Sequence, residues 1–386
     1  ANVEPDMTST ATSGSNSSRN DVGKFTGSYE PKNGWKGFVS AETVKTDGTT
    51  EPAKSWGGKN TADKLDALAS DNSRVILSWS DQWVSNARKG GVPFRWATDQ
   101  SKLSSAQKLW LQKRANGTDD GAAVGENRLN YIRGDQSKEG TGTVYRQRKS
   151  RQGDIVNSVV WYTGAPASSY ALKGYSTFIS TNSTRTPMIY VGGNDGMLHG
   201  FSAADGSEKI AYVPQGVIPS LSKLTAPEYN EQHRYFVDGS PMTGDVDTGT
   251  GIQDPSDKDY NPAYVPDWRT LLVGTLGAGG KGYFVLDVTT PSAFAESEAT
   301  SLVKLDRTRS TESGSAPDCT QSSLTNGQKA ACNKAVAEDK DIGHITAQPV
   351  RDDNNSMRTT QITRMNNNRW AVVLGNGYNS ANQRPV

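Results

Sequence analysis

The sequence predicts an all-β fold, a β-propeller preceded by an irregular mixed α/β lead-in, and three observations carry that reading. Short apolar runs recur in a fixed order after residue 153, and Asp-Gly turns join some of them. Glycine is abundant, at 39 of 386 residues, while hydrophobic content is a modest 33%, the texture of many short strands divided by turns. Four strands per unit, repeated with variable insertions, is how propeller blades are written, because each blade leaves a face that only its neighbours can cover.

Residues 1–24 are rich in Ser, Thr and Asn without an apolar period and read as a low-complexity tail or linker. Residues 25–150 form the lead-in, expected to pack on the propeller. Within it, residues 61–69 suit a short helix capped by Asn60 or Thr61, with Leu65, Leu68 and Ala69 on one face. Residues 74–79 read as a strand, and residues 104–114 as an amphipathic helix burying Leu103, Ala106, Trp110 and Leu111.

The propeller occupies residues 151–386, with insertions at about 246–266 and 306–340. In the first round, residues 154–162 make one strand and residues 188–193 a second. The chain turns at Asn194-Asp195-Gly196 and returns through residues 197–201, a strong hairpin signal. Asp205-Gly206 then leads into residues 208–214. The second round runs through residues 235–241, 270–274, 282–288 and 302–305. A third begins at residues 342–350 and continues at 369–377, so Ile189, Leu272 and Val373 should be equivalent positions. A working propeller needs roughly 4–8 blades. Further blades are therefore expected beyond Val386, and a start at Ala1 without initiator Met reads as processed or cut from something longer.

Lys+Arg and Asp+Glu nearly cancel, giving a formal net charge of +1, so no global field exists to draw in nucleic acid or an anionic membrane. The local basic strip Arg146-Gln147-Arg148-Lys149-Ser150-Arg151 reads as a solvated face. No apolar run approaches the roughly 20 residues of a transmembrane helix. Cys319 and Cys332 close a loop of about 14 residues in a polar segment. Without CxxC spacing or a nearby His they read as a disulfide worth roughly 3 kcal/mol and an oxidising compartment rather than zinc.

Four collinear stretches carry a family resemblance. They are Asn130-Tyr131-Ile132-Arg133-Gly134-Asp135; Gly153-Asp154-Ile155-Val156-Asn157-Ser158; Pro187-Met188-Ile189-Tyr190-Val191-Gly192-Gly193-Asn194-Asp195-Gly196-Met197-Leu198-His199-Gly200-Phe201; and Leu272-Val273-Gly274-Thr275-Leu276-Gly277-Ala278-Gly279-Gly280-Lys281-Gly282. Leu374-Gly375-Asn376-Gly377-Tyr378-Asn379-Ser380 also fits. From about Asp71 to Val386 the chain resembles the PilC/PilY family of type IV pilus tip-associated proteins, in its C-terminal propeller region. The resemblance implies a quinoprotein-like propeller, secreted and carried at the pilus tip or outer-membrane surface. It would bind major or minor pilins, support pilus biogenesis, control of retraction and twitching motility, and contribute adhesion to host receptors or surfaces, a virulence role. Calcium (Ca2+) is implied as a cofactor by a loop of some members that is not found in these residues.

Several sites follow. Asp245, Asp247 and Asp254 alternate with Gly as a calcium turn would, since calcium takes about 6–8 oxygen ligands. The bidentate Glu of an EF-hand is missing, with Ser256 at its place, and a plain acidic insertion fits the same residues. Arg133-Gly134-Asp135 spells an adhesion tripeptide, inside a stretch the resemblance already explains. Residues 203–212 look like the blade-docking repeat of quinoprotein dehydrogenases, with Tyr212 for the usual Trp and Asp205 fixing a turn. The paired cysteines of many such active sites are absent, and His199, His233 and His344 match no catalytic spacing. The glycine-rich residues 277–282 lack phosphate-loop spacing and read as a turn that lets backbones pack closely. No enzyme activity is expected. A lectin-like or other receptor-binding propeller outside pili, and a quinoprotein dehydrogenase, are the alternatives.

Overall fold

The computed structural model describes residues 9–12, 23–140, 145–252 and 254–382. The remaining part of the 1–24 tail lies outside the described residues. The first sheet is an antiparallel meander of β1 (Ser9–Thr12), β2 (Lys24–Glu30), β3 (Lys36–Val44) and β4 (Thr50–Pro52). Part of the stretch read as tail therefore pairs with Lys24–Gly27 as a strand.

Next comes a hairpin of β5 (Ile76–Val84) and β6 (Ala87–Pro93), then the first blade: β7 (Trp161–Thr163), β8 (Met188–Gly192), β9 (Leu198–Ser202) and β10 (Glu208–Val213). β5 pairs in parallel with β10, so the hairpin extends the blade to six strands. The second blade is β11 (Met242–Asp247), β12 (Trp268–Thr275), β13 (Tyr283–Asp287) and β14 (Val303–Asp306), all antiparallel neighbours. Two small hairpins follow, β15 (Arg351–Asp352) with β16 (Asn355–Thr359), and β17 (Ile362–Arg364) with β18 (Trp370–Val372).

Three apolar clusters show how the sheets cover one another. Phe25, Val39 and Trp56 meet Ile189, Val191 and Phe201 between the first sheet and the first blade. Tyr190, Leu198 and Tyr212 meet Leu272, Phe284 and Leu286 between the two blades, in a cluster that also takes in Phe94 and Leu129 of the lead-in. Met242, Val246 and Val273 meet Ile362 between the second blade and the β17–β18 hairpin. Because strand side chains alternate between faces, Ile189 and Leu272 both point at the sheet before their own. In facing, the two correspond. Val373 does not: it follows β18 and is 51% exposed.

The openings of each round also differ from expectation. Residues 154–160 and 235–241 are not strands. The two stretches run side by side, held by polar side chains in place of a ladder. Asp238 accepts from the Asn157 backbone and amide, and Ser240 from the Val159 backbone. Residues 342–350 make only the isolated His344–Tyr378 bridge.

Local chemistry shapes the turns and helices. Gly196, at φ 92°, makes the Asp195-Gly196 turn possible. A Cβ at Gly279 would lie 1.8 Å from the Phe236 carbonyl, so the glycine-rich loop does allow close backbone approach. Helix α1 (Thr61–Asp66) starts with an Asn60–Asp63 capping box, and α2 (Ser105–Gln112) with a Ser104–Gln107 box. In α2, Leu111 is buried and Trp110 half-buried, while Ala106 is exposed and Gln107 and Lys108 take its place inside. A third helix, α3 (Ala122–Arg133), was not foreseen.

Candidate functional site

Three of the motif segments, 130–135, 153–158 and 187–201, converge on one place, the junction of α3, the lead-in and the first blade. Gly153 donates its N–H to Asp195, Asn194 donates its backbone N–H to the Asp154 carbonyl, and the Asn194 amide reaches the Asp154 carboxylate at 2.7 Å. His233 bonds the same carboxylate at 2.8 Å while stacked on Trp35, ring centroids 3.7 Å apart.

At the centre is a buried chain of charges. His199, wholly inside, bonds Asp195 through Nε2 at 2.9 Å and Glu208 through Nδ1 at 2.8 Å. Arg74 closes the chain, donating to both Glu208 oxygens at 2.7 and 2.9 Å. Burial alone would lower the His199 pKa, but Asp195 and then Glu208 outweigh it and raise it to about 9, so the imidazole is a cation at neutral pH. Burial likewise opposes ionisation of Asp195, yet His199 holds it below its ordinary range. Glu208 is held low against burial by Arg74 and His199. Two anions and two cations thus neutralise one another inside the protein.

The strip 146–151 corrects the reading of a solvated face, for Arg146, Arg148 and Arg151 are all buried. They are held by backbone carbonyls. Arg148 donates to Tyr131 and Asp135, and Arg151 to Gly134 and, at α1, to Leu65, Asp66 and Leu68. Arg74 adds the Arg133 carbonyl. A helix C-terminus presents carbonyls without internal partners and a partial negative charge, which guanidinium groups satisfy. Arg148 also pairs with Glu139 at 2.6 Å and lies 3.7 Å over the Tyr131 ring. The space left beside Arg148 and Asp195 is about 10 Å³, room for at most a water.

The tripeptide sits at this helix end. Arg133 is 1% exposed, its guanidinium joined to Glu296, Asp71 and the Phe94 carbonyl. Gly134 is the C-cap, and Asp135 folds onto Ser137. As placed, the arginine offers nothing to solvent.

The three calcium candidates are each engaged by different neighbours. Asp245 and Asp247 lie in β11 rather than in an insertion. Asp245 accepts from Tyr175 and Thr270, Asp247 from Tyr264, Gly249 and Asp267, and Asp254 from Ser256 and Asn368. Among the described residues no group of three or more His, Cys, Asp or Glu could hold a metal ion. Cys319 and Cys332 are joined as a disulfide, their Cα atoms 5.5 Å apart, tying the segment before the helix Asn326–Asp339 to that helix.

Tyr212 links the blades. Its ring packs on Phe284 and its hydroxyl donates to Asp306 at the end of β14. Asp205 accepts from the Ser207 N–H and hydroxyl, and Trp56 packs under Gly206 and donates to the Ala203 carbonyl.

On the other side of the second blade, an open cleft of about 360 Å³ lies between residues 248–267 and the β17–β18 hairpin, with Arg364 and Trp370 as directly opposed cross-strand partners on its wall. Sequence reasoning missed it, because its two walls are far apart in the chain, Tyr264 on one and Arg364 on the other.

Residues 152–316 match the family model described as the PilY1 beta-propeller domain. The chain is 30% identical over 366 residues to the type IV pilus biogenesis factor PilY1 of Pseudomonas aeruginosa strain PAK, covering 92% of this chain and 25% of that one. A PilY1 homolog from Xylella fastidiosa strain Temecula1, also named a type IV pilus biogenesis factor, is 39% identical over 209 residues, 51% of this chain and 16% of its own. The crystal structure of the Pseudomonas aeruginosa PilY1 C-terminal domain is 27% identical, covering 58% of this chain and 33% of that one with a TM-score of 0.32. The chain spans about a quarter of the length of the curated Pseudomonas relative.

Proposed function

Because this chain belongs, through residues 152–316, to the family of PilY1 β-propeller domains, we propose that it serves type IV pilus biogenesis as a stiff, non-catalytic binding module. In this reading it is an extracellular part of a pilus-tip protein with a quinoprotein-like arrangement of blades, engaging pilins on one side and a host or abiotic surface on another. Control of retraction and adhesion would both be mechanical: a body that transmits load and loops that grip.

The observation that carries the reading is the junction around His199. Its charges are paired with one another or with helix carbonyls, and almost no space remains for a substrate. A catalytic group must reach a reacting atom; these groups reach only each other. They brace the lead-in against the first blade, which suits a load-bearing part. The segments 248–267 and 307–341 carry many exposed residues and are where contact with partners would fall.

The test is replacement of the chromosomal gene by a version lacking residues 248–267, beside a full deletion. The deletion should remove most surface pili, counted by electron microscopy and shear yield. The trimmed version should restore pili but attach poorly to surfaces. Normal piliation in the deletion strain would overturn the proposal.

A further inference from the structure

We propose that the cleft between residues 248–267 and the β17–β18 hairpin is a binding site for a carboxylate-bearing sugar, such as a uronic acid unit of a surface glycan. Nothing in the inference depends on the pilus reading.

The walls are built so that donors outnumber free acceptors. Asp247 already accepts from the Tyr264 hydroxyl at 2.6 Å and from two backbone N–H groups. Behind the lining residues, Asp254 accepts from Ser256 and from the Asn368 amide at 2.9 Å, and Asp259 from Lys258 and Arg369. Arg364 differs. Among the described residues its half-buried guanidinium makes no hydrogen bond or ion pair, although its charge is felt at Asp254 and Tyr264. The Trp370 indole N–H is also without an acceptor among the described residues, while its ring is fixed edge-on by Tyr170 and Trp268.

Those two side chains are held together by the hairpin. Arg364 and Trp370 pair across it, and Ile362, two residues earlier on the same face, is buried against Gly244 of β11. Asn368, at φ 65°, makes the turn between them, a conformation asparagine tolerates. The hairpin register thus sets a guanidinium-bearing residue beside an aromatic one on the same wall. A guanidinium fork matches a carboxylate in two-point geometry, and a half-open aromatic face takes the apolar face of a ring. The rest of the wall is mixed: Leu172 and Ile252 are apolar, while Asp247, Tyr264, Asn368 and Arg369 are polar, so the occupant must offer both an apolar face and hydrogen-bonding groups. A sugar acid combines a carboxylate, an apolar ring face and a hydroxylated rim, and a volume of about 360 Å³ is of ligand size.

The experiment follows the indole N–H signals of the intact chain by nitrogen-15 NMR, with the Trp370 signal assigned through Trp370→Phe. D-glucuronate, D-glucose and acetate are titrated separately. Glucuronate should move the Trp370 signal at least about tenfold more tightly than glucose or acetate, the size of one charge-assisted contact. Arg364→Gln should bring glucuronate down to the glucose level with the other indole signals in place, and Arg364→Lys should restore part of the loss. An unmoved Trp370 signal, an unchanged glucuronate affinity in Arg364→Gln, or acetate binding as tightly as glucuronate would each overturn the proposal. The last outcome would mean a carboxylate site without sugar recognition, as for a peptide C-terminus.

Discussion

The junction around His199 and the cleft beside Trp370 are made of the same materials, arginines, carboxylates and aromatic rings, arranged to opposite ends. At the junction each cation has a carboxylate or a set of carbonyls, and the aromatic rings seal the charges from water. At the cleft the carboxylates are engaged by the protein's own groups, and one guanidinium is left facing the opening. The difference teaches that the partner of a charge, rather than its type, separates a structural residue from one that can receive a ligand.

The largest expected effect comes from breaking the junction. Arg74→Ala leaves Glu208, with 4% of its side chain exposed, sharing only His199. Removing one member of a buried charged set costs about 3–5 kcal/mol. The urea midpoint should fall accordingly with the slope unchanged. A loss below about 1 kcal/mol would mean that water reaches the junction and the contrast is false.

A smaller effect is expected from pH. The His199 value is raised in the folded protein, to about 9 against an ordinary 6.5. Stability from its protonation is therefore complete below about 6.5 and lost as pH rises through 9, in total on the order of 3 kcal/mol. Thermal unfolding between pH 6 and 10 should decline over that window, and His199→Gln should flatten the decline. An equally steep decline in the variant would assign the effect to other groups.

The smallest effect should come from the cleft. Arg364→Gln removes a charge that supports no contact in the fold, so the urea midpoint should change by no more than about 0.5 kcal/mol. A loss as large as that of Arg74→Ala would show that Arg364 is a structural residue after all, and the comparison would collapse.

Much of the fold was legible in the residues. The alternation of apolar side chains and the Asp195-Gly196 turn located β8 and β9, and residues 270–274 and 282–288 overlap β12 and β13. The last strand-like run failed as a blade position because Val373 lies beyond the paired residues, where no sheet covers it. Helix α3 was missed for a physical reason. It begins at Gly121 without a side-chain cap, and its buried face includes Arg128 and Arg133, so it shows no continuous apolar stripe. The basic strip misled for the same reason: arginine reads as solvent-facing unless its acceptors are known.

By itself the sequence determined what neighbours a few residues apart can decide. The Asn60–Asp63 and Ser104–Gln107 caps, the Gly196 turn and the inward or outward choice along each strand all rest on local geometry and side-chain period. Only the tertiary structure decided which charges were matched. The acceptors of Arg74, Arg148 and Arg151 come from α1, α3 and β10, as far as 134 residues away, and the cleft exists only where two distant hairpin ends meet. An arginine carries the same charge wherever it stands in the chain; burial and the carbonyls that folding brings to it set whether that charge is neutralised or left to bind.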